Sequence, residues 1–281
     1  MIEYIIIAII QGLLEWLPIS SSGQVMIITT NLFGISPEQA YSLSIWLHLG
    51  TTLAVLLKFR VDFIEMIKSF IPKIYEVSEI DIRKRNWLIY ATLGTGITAI
   101  PLYFTFKFII SETFKASQGD IITLFISGLL VITGIILLQA KKTNFKNSIE
   151  DIPMTNLPKD SFLSGLVQGV AILPGVSRSG VTVSAILLEK YNQDNALRLS
   201  FLMSVPVVFA SIAVDFIFAE VSIFGILDPF LIVTTTLISF IMGYLTIELL
   251  LRIAQKINFG YFCILYGMIA YAIIVPLILM T

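Results

Sequence analysis

Six stretches of this chain, residues 40–57, 88–106, 121–140, 199–219, 229–247 and 261–280, are apolar for close to the length of a bilayer crossing. A hydrocarbon core of about 30 Å takes about 20 residues of helix, and within it backbone polar groups must be satisfied internally. Composition agrees with that constraint. Of 281 residues 57% are hydrophobic and 13% charged, with a mean hydropathy of +0.91, whereas a soluble domain carries about 25% charged residues. The expected fold is an all-α polytopic membrane protein, one integral-membrane domain over 1–281. The net charge of −1 leaves no basic face, so no nucleic acid is expected as a partner. A single cysteine, Cys263, and a single histidine, His48, exclude a disulfide framework and His- or Cys-clustered metal sites. The opening MIEYIIIAII lacks a basic n-region and cleavage site, and is expected to belong to the mature chain.

Two further apolar stretches are interrupted. Residues 4–30 carry Gln11, Glu15, Pro18, Ser20, Ser21, Ser22 and Gly23, and residues 161–188 carry Gln168, Pro174, Gly175, Ser177, Arg178, Ser179 and Gly180. Irregular backbone at membrane depth survives only where protein or a wet cavity surrounds it. Each stretch therefore reads as a re-entrant helical hairpin. The two are also copies, QGLLEWLPISSSG from Gln11 and QGVAILPGVSRSG from Gln168. Repeat 1 covers about 1–140 and repeat 2 about 161–281, with a linker at 141–160.

Basic residues orient the chain, because cytoplasmic loops carry the Lys/Arg excess. The loops 58–85, 141–159, 190–198 and 252–256 hold fifteen of them, against Lys107 and Lys115 in 107–120. Alternating six spans puts the fifteen on the cytoplasmic side of the plasma membrane and both termini outside. On that count the hairpins enter from opposite sides. An inverted repeat of this kind places its site near the midplane, where the broken helices meet. Segment 61–76, VDFIEMIKSFIPKIYE, reads as a helix along the cytoplasmic interface.

Glu15 and Arg178 are the charged residues of the two hairpins. A carboxylate at that depth needs a partner or a cavity, so they are either a structural ion pair or parts of a site. The surroundings favour a site. Ser177, Arg178, Ser179, Gly180 and Thr182 lead into a helical stretch, as do Ser20, Ser21, Ser22, Gly23 and Gln24. Hydroxyls, glycine-permitted N–H groups, a helix N-terminus and an arginine together bind phosphate. The nucleophile candidates are Ser21 and a water activated by Glu15 or a bound cation. Three ordinary readings stand elsewhere: His48 as a packed, hydrogen-bonded residue, Glu248 as an i,i+4 partner of Arg252, and Gly165 with Gly169 as a close helix contact.

Those residues resemble a known family. Gln11–Gly23, with Glu15 before Leu17-Pro18 and the serine triplet, and Pro174–Gly180 with Thr182, are similar to the two signature motifs of the undecaprenyl-diphosphatase (bacitracin-resistance) family. The similarity continues through HLGTTLAVLLKFR at 48–60, LRLSFLMSVPVVFAS at 197–211 and ILYGMIA at 264–270. The resemblance implies a membrane phosphatase that removes one phosphate from a polyprenyl diphosphate, recycling the lipid carrier of glycan assembly. It implies a divalent cation (Mg²⁺ or Ca²⁺) and a homodimer. By motif position, Glu15 is the second acid of the E-x-x-x-E pattern and a candidate metal ligand, Ser21 the nucleophile and Arg178 the phosphate-binding arginine. Gln11, Gln24, Gly175 and the flanking Ser, Gly and Thr residues fall to substrate binding. Two positions depart: Gln11 stands where the first Glu is usual, and Gln24 where a His commonly follows S-S-S-G. The competing reading is a polyprenyl-phosphate flippase, because inverted repeats with broken helices are transporter architecture.

Overall fold

The computed structural model describes residues 1–16, 20–113, 119–140, 148–150, 154–218 and 227–254, with 261, 264, 265, 267–269, 271, 272 and 275. The described residues are helical throughout, without strands. In chain order the helices are α1 (Ile2–Leu14), α2 (Ser21–Asn31), α3 (Pro37–Lys58), α4 (Arg60–Lys68), α5 (Glu79–Thr113), α6 (Gly119–Ala140), α7 (Leu157–Gly169), α8 (Arg178–Leu188), α9 (Gln193–Phe218) and α10 (Pro229–Ala254), with a 3₁₀ turn at Val170–Ile172.

Four segments are long and apolar enough to cross a membrane: Pro37–Lys58, Glu79–Phe108, Asp194–Phe218 and Pro229–Glu248. They coincide with four of the expected stretches, so the chain is a multi-pass membrane protein. The stretch at 121–140 lies within α6, and most of 261–280 falls outside the described residues. Several boundaries move outward for local reasons. Helix α3 starts at Pro37, where the ring suits the first helical turn and the Ser36 hydroxyl accepts from the Gln39 N–H. Helix α5 begins in the charged run at Glu79, supported by the Glu79–Arg83 pair one turn apart. The helix foreseen over 61–76 is shorter: α4 ends at Lys68, and the chain turns ahead of Pro72. Helix α7 starts at Leu157, inside the stretch read as linker.

The duplicated segments have matching anatomy. Each is a 13-residue helix followed by an 11-residue one, α1 with α2 and α7 with α8. Their packing is crosswise. Helix α1 lies on α10 and α7 lies on α5, while α2 packs on α3 and α8 on α9. The Gln-Gly that opens each copy explains the first pair of contacts. A Cβ on Gly12 would stand 2.6 Å from Met242 Cβ, and one on Gly169 would stand 2.7 Å from the Thr95 carbonyl oxygen. Only glycine lets these backbones approach so closely, the small-residue packing that replaces the hydrophobic drive inside lipid. Hydroxyls then pin the backbones. Thr246 donates to the Gly12 carbonyl at 3.1 Å, and Thr95 donates to the Gly165 carbonyl at 3.0 Å. At one end of the molecule Asp62 of α4 accepts from Lys84 at 2.8 Å and from Arg198 at 2.6 Å, joining α4 to α5 and α9. This packing brings the ends of the two duplicated segments together at a single cleft.

Candidate active site

The cleft spans about 730 Å³ of empty space, part of it open to solvent. Its polar wall comes from the two repeats: Glu15, Ser20, Ser21 and Ser22 from one, Ser177, Arg178 and Ser179 from the other. Tyr41, Ser44 and His48 of α3 and Thr95 of α5 add polar groups, whereas Ala99, Val207 and Val208 make an apolar side. The arrangement suits an amphiphile with an anionic head.

Both repeats present a helix start to it in the same way. Ser20 and Ser177 are the N-caps of α2 and α8, and each hydroxyl accepts the N–H of the glycine three residues on, Gly23 at 3.3 Å and Gly180 at 3.1 Å. The two repeats also touch directly, since the Ser20 hydroxyl accepts from the Gly175 N–H at 3.1 Å. That approach is made at φ +99° for Gly175, which only glycine adopts without strain. Ser20 itself lies at φ +56°, a conformation costly for a non-glycine residue and frequent at functional sites. Helix N-termini carry partial positive charge and unpaired N–H groups, so the cleft is built for an anion.

Glu15 is buried and holds the centre. Its Oε2 accepts from Ser21 Oγ at 2.6 Å and from Gln11 Nε2 at 2.8 Å, with His48 Nε2 at 3.2 Å. Its Oε1 pairs with Arg178 Nη2. The ion pair foreseen between the two repeats is therefore formed, but only one edge of the guanidinium is used. Arg178 Nε and Nη1 are buried with no partner in the protein. Buried donors are normally satisfied, and a bound phosphate oxygen would account for both.

The remaining expected residues divide. Ser22 and Ser179 line the cleft. Gln11, Gly23, Gln24, Gly175, Gly180 and Thr182 do not; they shape its walls from behind. Gln11 is fully buried and acts on Glu15 alone, and Thr182 faces Gln168 at 3.5 Å. His48 is more than a packed residue, because α3 carries it to Glu15. Its Nδ1 lies 2.5 Å from the Ser44 carbonyl oxygen, which can only accept, so Nδ1 bears a proton. Its Nε2 faces Glu15 Oε2 at 3.2 Å. Gln168, the counterpart of Gln11, also reaches the cleft and donates to Thr95 at 3.1 Å. No periodicity in the sequence marks His48 or Gln168 as site residues, since both arrive through helix docking. Glu248 pairs with Lys58 of α3 at 3.0 Å, and the Arg252 side chain lies outside the described residues.

A divalent cation fits this donor set poorly. Ser21 and Gln11 donate to Glu15 Oε2, with His48 alongside, and the Arg178 guanidinium sits on Oε1. Among the described residues no three of His, Cys, Asp and Glu converge anywhere. Gln11, Ser21 and Arg178 all present hydrogen donors to Glu15, as befits a site for an anion.

The family model described as "Bacitracin resistance protein BacA" matches residues 4–272. The chain belongs to that family. Similar proteins include one named undecaprenyl-diphosphatase from Methanothrix thermoacetophila, 37% identical over 97% of this chain and 96% of its own. A protein of the same name from Methanococcoides burtonii is 37% identical over 95% of this chain and 96% of its own. Another from Haloarcula marismortui is 33% identical over 94% and 93%. Family membership thus covers both duplicated segments and the helices that carry Glu15, His48 and Arg178.

Proposed function

We propose that this protein is a membrane phosphatase that hydrolyses an undecaprenyl-type polyprenyl diphosphate to the monophosphate and inorganic phosphate. The relatives' name supports the substrate, and one observation carries the chemistry: Ser21 Oγ lies 2.6 Å from Glu15 Oε2 in a cleft that also holds the unpartnered edge of Arg178. A serine hydroxyl becomes a nucleophile when a base takes its proton. Ser21 Oγ attacks the terminal phosphorus while its proton passes to Glu15, and the bond from phosphorus to the bridging oxygen breaks. The polyprenyl monophosphate leaves, and water then cleaves the phosphoserine to release phosphate. Arg178 and the starts of α2 and α8 hold the phosphoryl oxygens as charge redistributes, the kind of preorganised stabilisation that dominates phosphoryl transfer. His48 keeps Glu15 in place and can supply a proton through it.

The prenyl chain leaves along the apolar side formed by Ala99, Val207 and Val208. The architecture that serves this chemistry has six spans and two oppositely inserted re-entrant hairpins, with both termini outside and two chains per functional unit. Two features support the hairpins: the paired helices of 13 and 11 residues are too short to cross a bilayer, and they pack crosswise. Phosphate release from a long-chain polyprenyl diphosphate tests the function. Release by wild type that disappears in Ser21→Ala is the expected result. Binding of the lipid with no release would favour a flippase.

A further inference from the structure

The family resemblance implies a divalent cation, yet the centre of this cleft is occupied by donors. Glu15 is the single acid lining the cleft among the described residues. Ser21, Gln11 and His48 crowd its Oε2, and the Arg178 guanidinium lies on its Oε1. A cation would have to displace one of the three groups on Oε2 or sit on Oε1 against the like charge of the Arg178 guanidinium. Displacing Ser21 would separate the nucleophile from its base. Displacing Arg178 would leave a buried guanidinium with no partner on any side, since Nε and Nη1 already have none. Losing the partner of a buried charge is strongly unfavourable.

Gln11 strengthens the case. It stands where the pattern has a second carboxylate, and its amide nitrogen donates to Glu15 where an acid would need a shared proton or a cation to sit beside it. Its Oε1 has no partner, but Gln11 is fully buried behind Glu15 and away from the cleft. Magnesium demands near-octahedral oxygen ligation and calcium six to eight oxygens; one carboxylate already engaged on both oxygens cannot supply either.

We propose that this chain neutralises the diphosphate with Arg178 and the donors at the starts of α2 and α8, and needs no divalent cation bound at Glu15. The inference rests on the phosphatase reading. Two measurements on the purified full chain test it. The first is phosphate release from a polyprenyl diphosphate in excess chelator and in a Mg²⁺ or Ca²⁺ titration. An essential metal contributes several kcal/mol of charge stabilisation, so a loss beyond about tenfold in chelator, restored by the ion, would overturn the proposal. A rate within that margin supports it.

The second is calorimetric titration of the lipid-free protein with Mg²⁺ or Ca²⁺ alone, for wild type, Glu15→Gln and Gln11→Glu. Wild type is expected to show no saturable heat that Glu15→Gln removes, whereas Gln11→Glu, with a second carboxylate beside Glu15, is expected to bind the ion. Wild-type binding as tight as that of Gln11→Glu, and lost in Glu15→Gln, would overturn the proposal. If no condition releases phosphate, the phosphatase reading fails, and the calorimetry alone then decides the cation question.

Discussion

A single carboxylate organises this site, and the value of each neighbour depends on its geometry rather than its charge alone. Arg178 uses one nitrogen on Glu15 and has two more N–H groups without a protein partner. Lysine in its place keeps the charge but loses the planar fork. Arg178→Lys should lower kcat/KM for phosphate release about tenfold to a hundredfold, the worth of one or two charge-assisted hydrogen bonds. Unchanged kcat/KM would return Arg178 to a purely structural role. A second acid, away from the cleft, makes a pH prediction. Glu189, just after α8, is half-buried beside Asp160 and accepts from Ser164 at 2.9 Å. Burial, helped by the nearby Asp160 charge and opposed by the Ser164 hydrogen bond, raises its pKa to about 8. The folded state therefore holds a proton that the unfolded chain has released, and stability declines as pH rises from the ordinary carboxyl range through about 8. Glu189→Gln mimics the protonated form. It should raise the Tm at pH 9 by about 2 °C or more and leave it unchanged at pH 4; an equal effect at both would contradict the assignment.

At the scale of helices, close backbone contact sets the frame that holds these side chains. Gly12 and Gly169 sit at matching places in the two copies and touch α10 and α5. Alanine at either position forces the helices apart and should cost about 1–3 kcal/mol. Gly96 of the same α5 offers a contrast, because a Cβ there meets only Ile100 Cδ1 at 4.0 Å. Gly96→Ala should be neutral or stabilising by up to about 1 kcal/mol, and thermal unfolding in detergent compares the three. Equal losses at all three positions would contradict the packing account. The duplicated Gln-Gly and serine clusters were readable in the sequence because short motifs fix local structure: caps, a tight turn and a close approach. His48 was not, since a lone histidine in an apolar run says nothing of which neighbour α3 will meet. Gln11 and Gln24 lie behind the cleft lining for the converse reason. Motif position locates a residue along the helix but not whether its side chain faces the cavity or the carboxylate behind it.

Over the whole molecule, the two copies pack crosswise, α1 on α10 and α7 on α5. The four described spans were legible from length and polarity, and their ends shifted only where caps or ion pairs extended the helix. The loop charges support the proposal that both termini lie outside. In a chain with Cys263 replaced, a cysteine introduced before Glu3 should label with an impermeant reagent from outside intact cells, and labelling only from the cytoplasm would contradict the topology. All of this architecture serves one arrangement, in which a serine and its base from one copy meet an arginine from the other. The most direct test is phosphate release from a long-chain polyprenyl diphosphate by purified wild type, Ser21→Ala and Glu15→Gln, with lipid binding measured alongside. Release by wild type that both substitutions reduce by more than about a hundredfold, with binding retained, is the predicted result. Undiminished release by Ser21→Ala, or lipid binding without release by wild type, would contradict it.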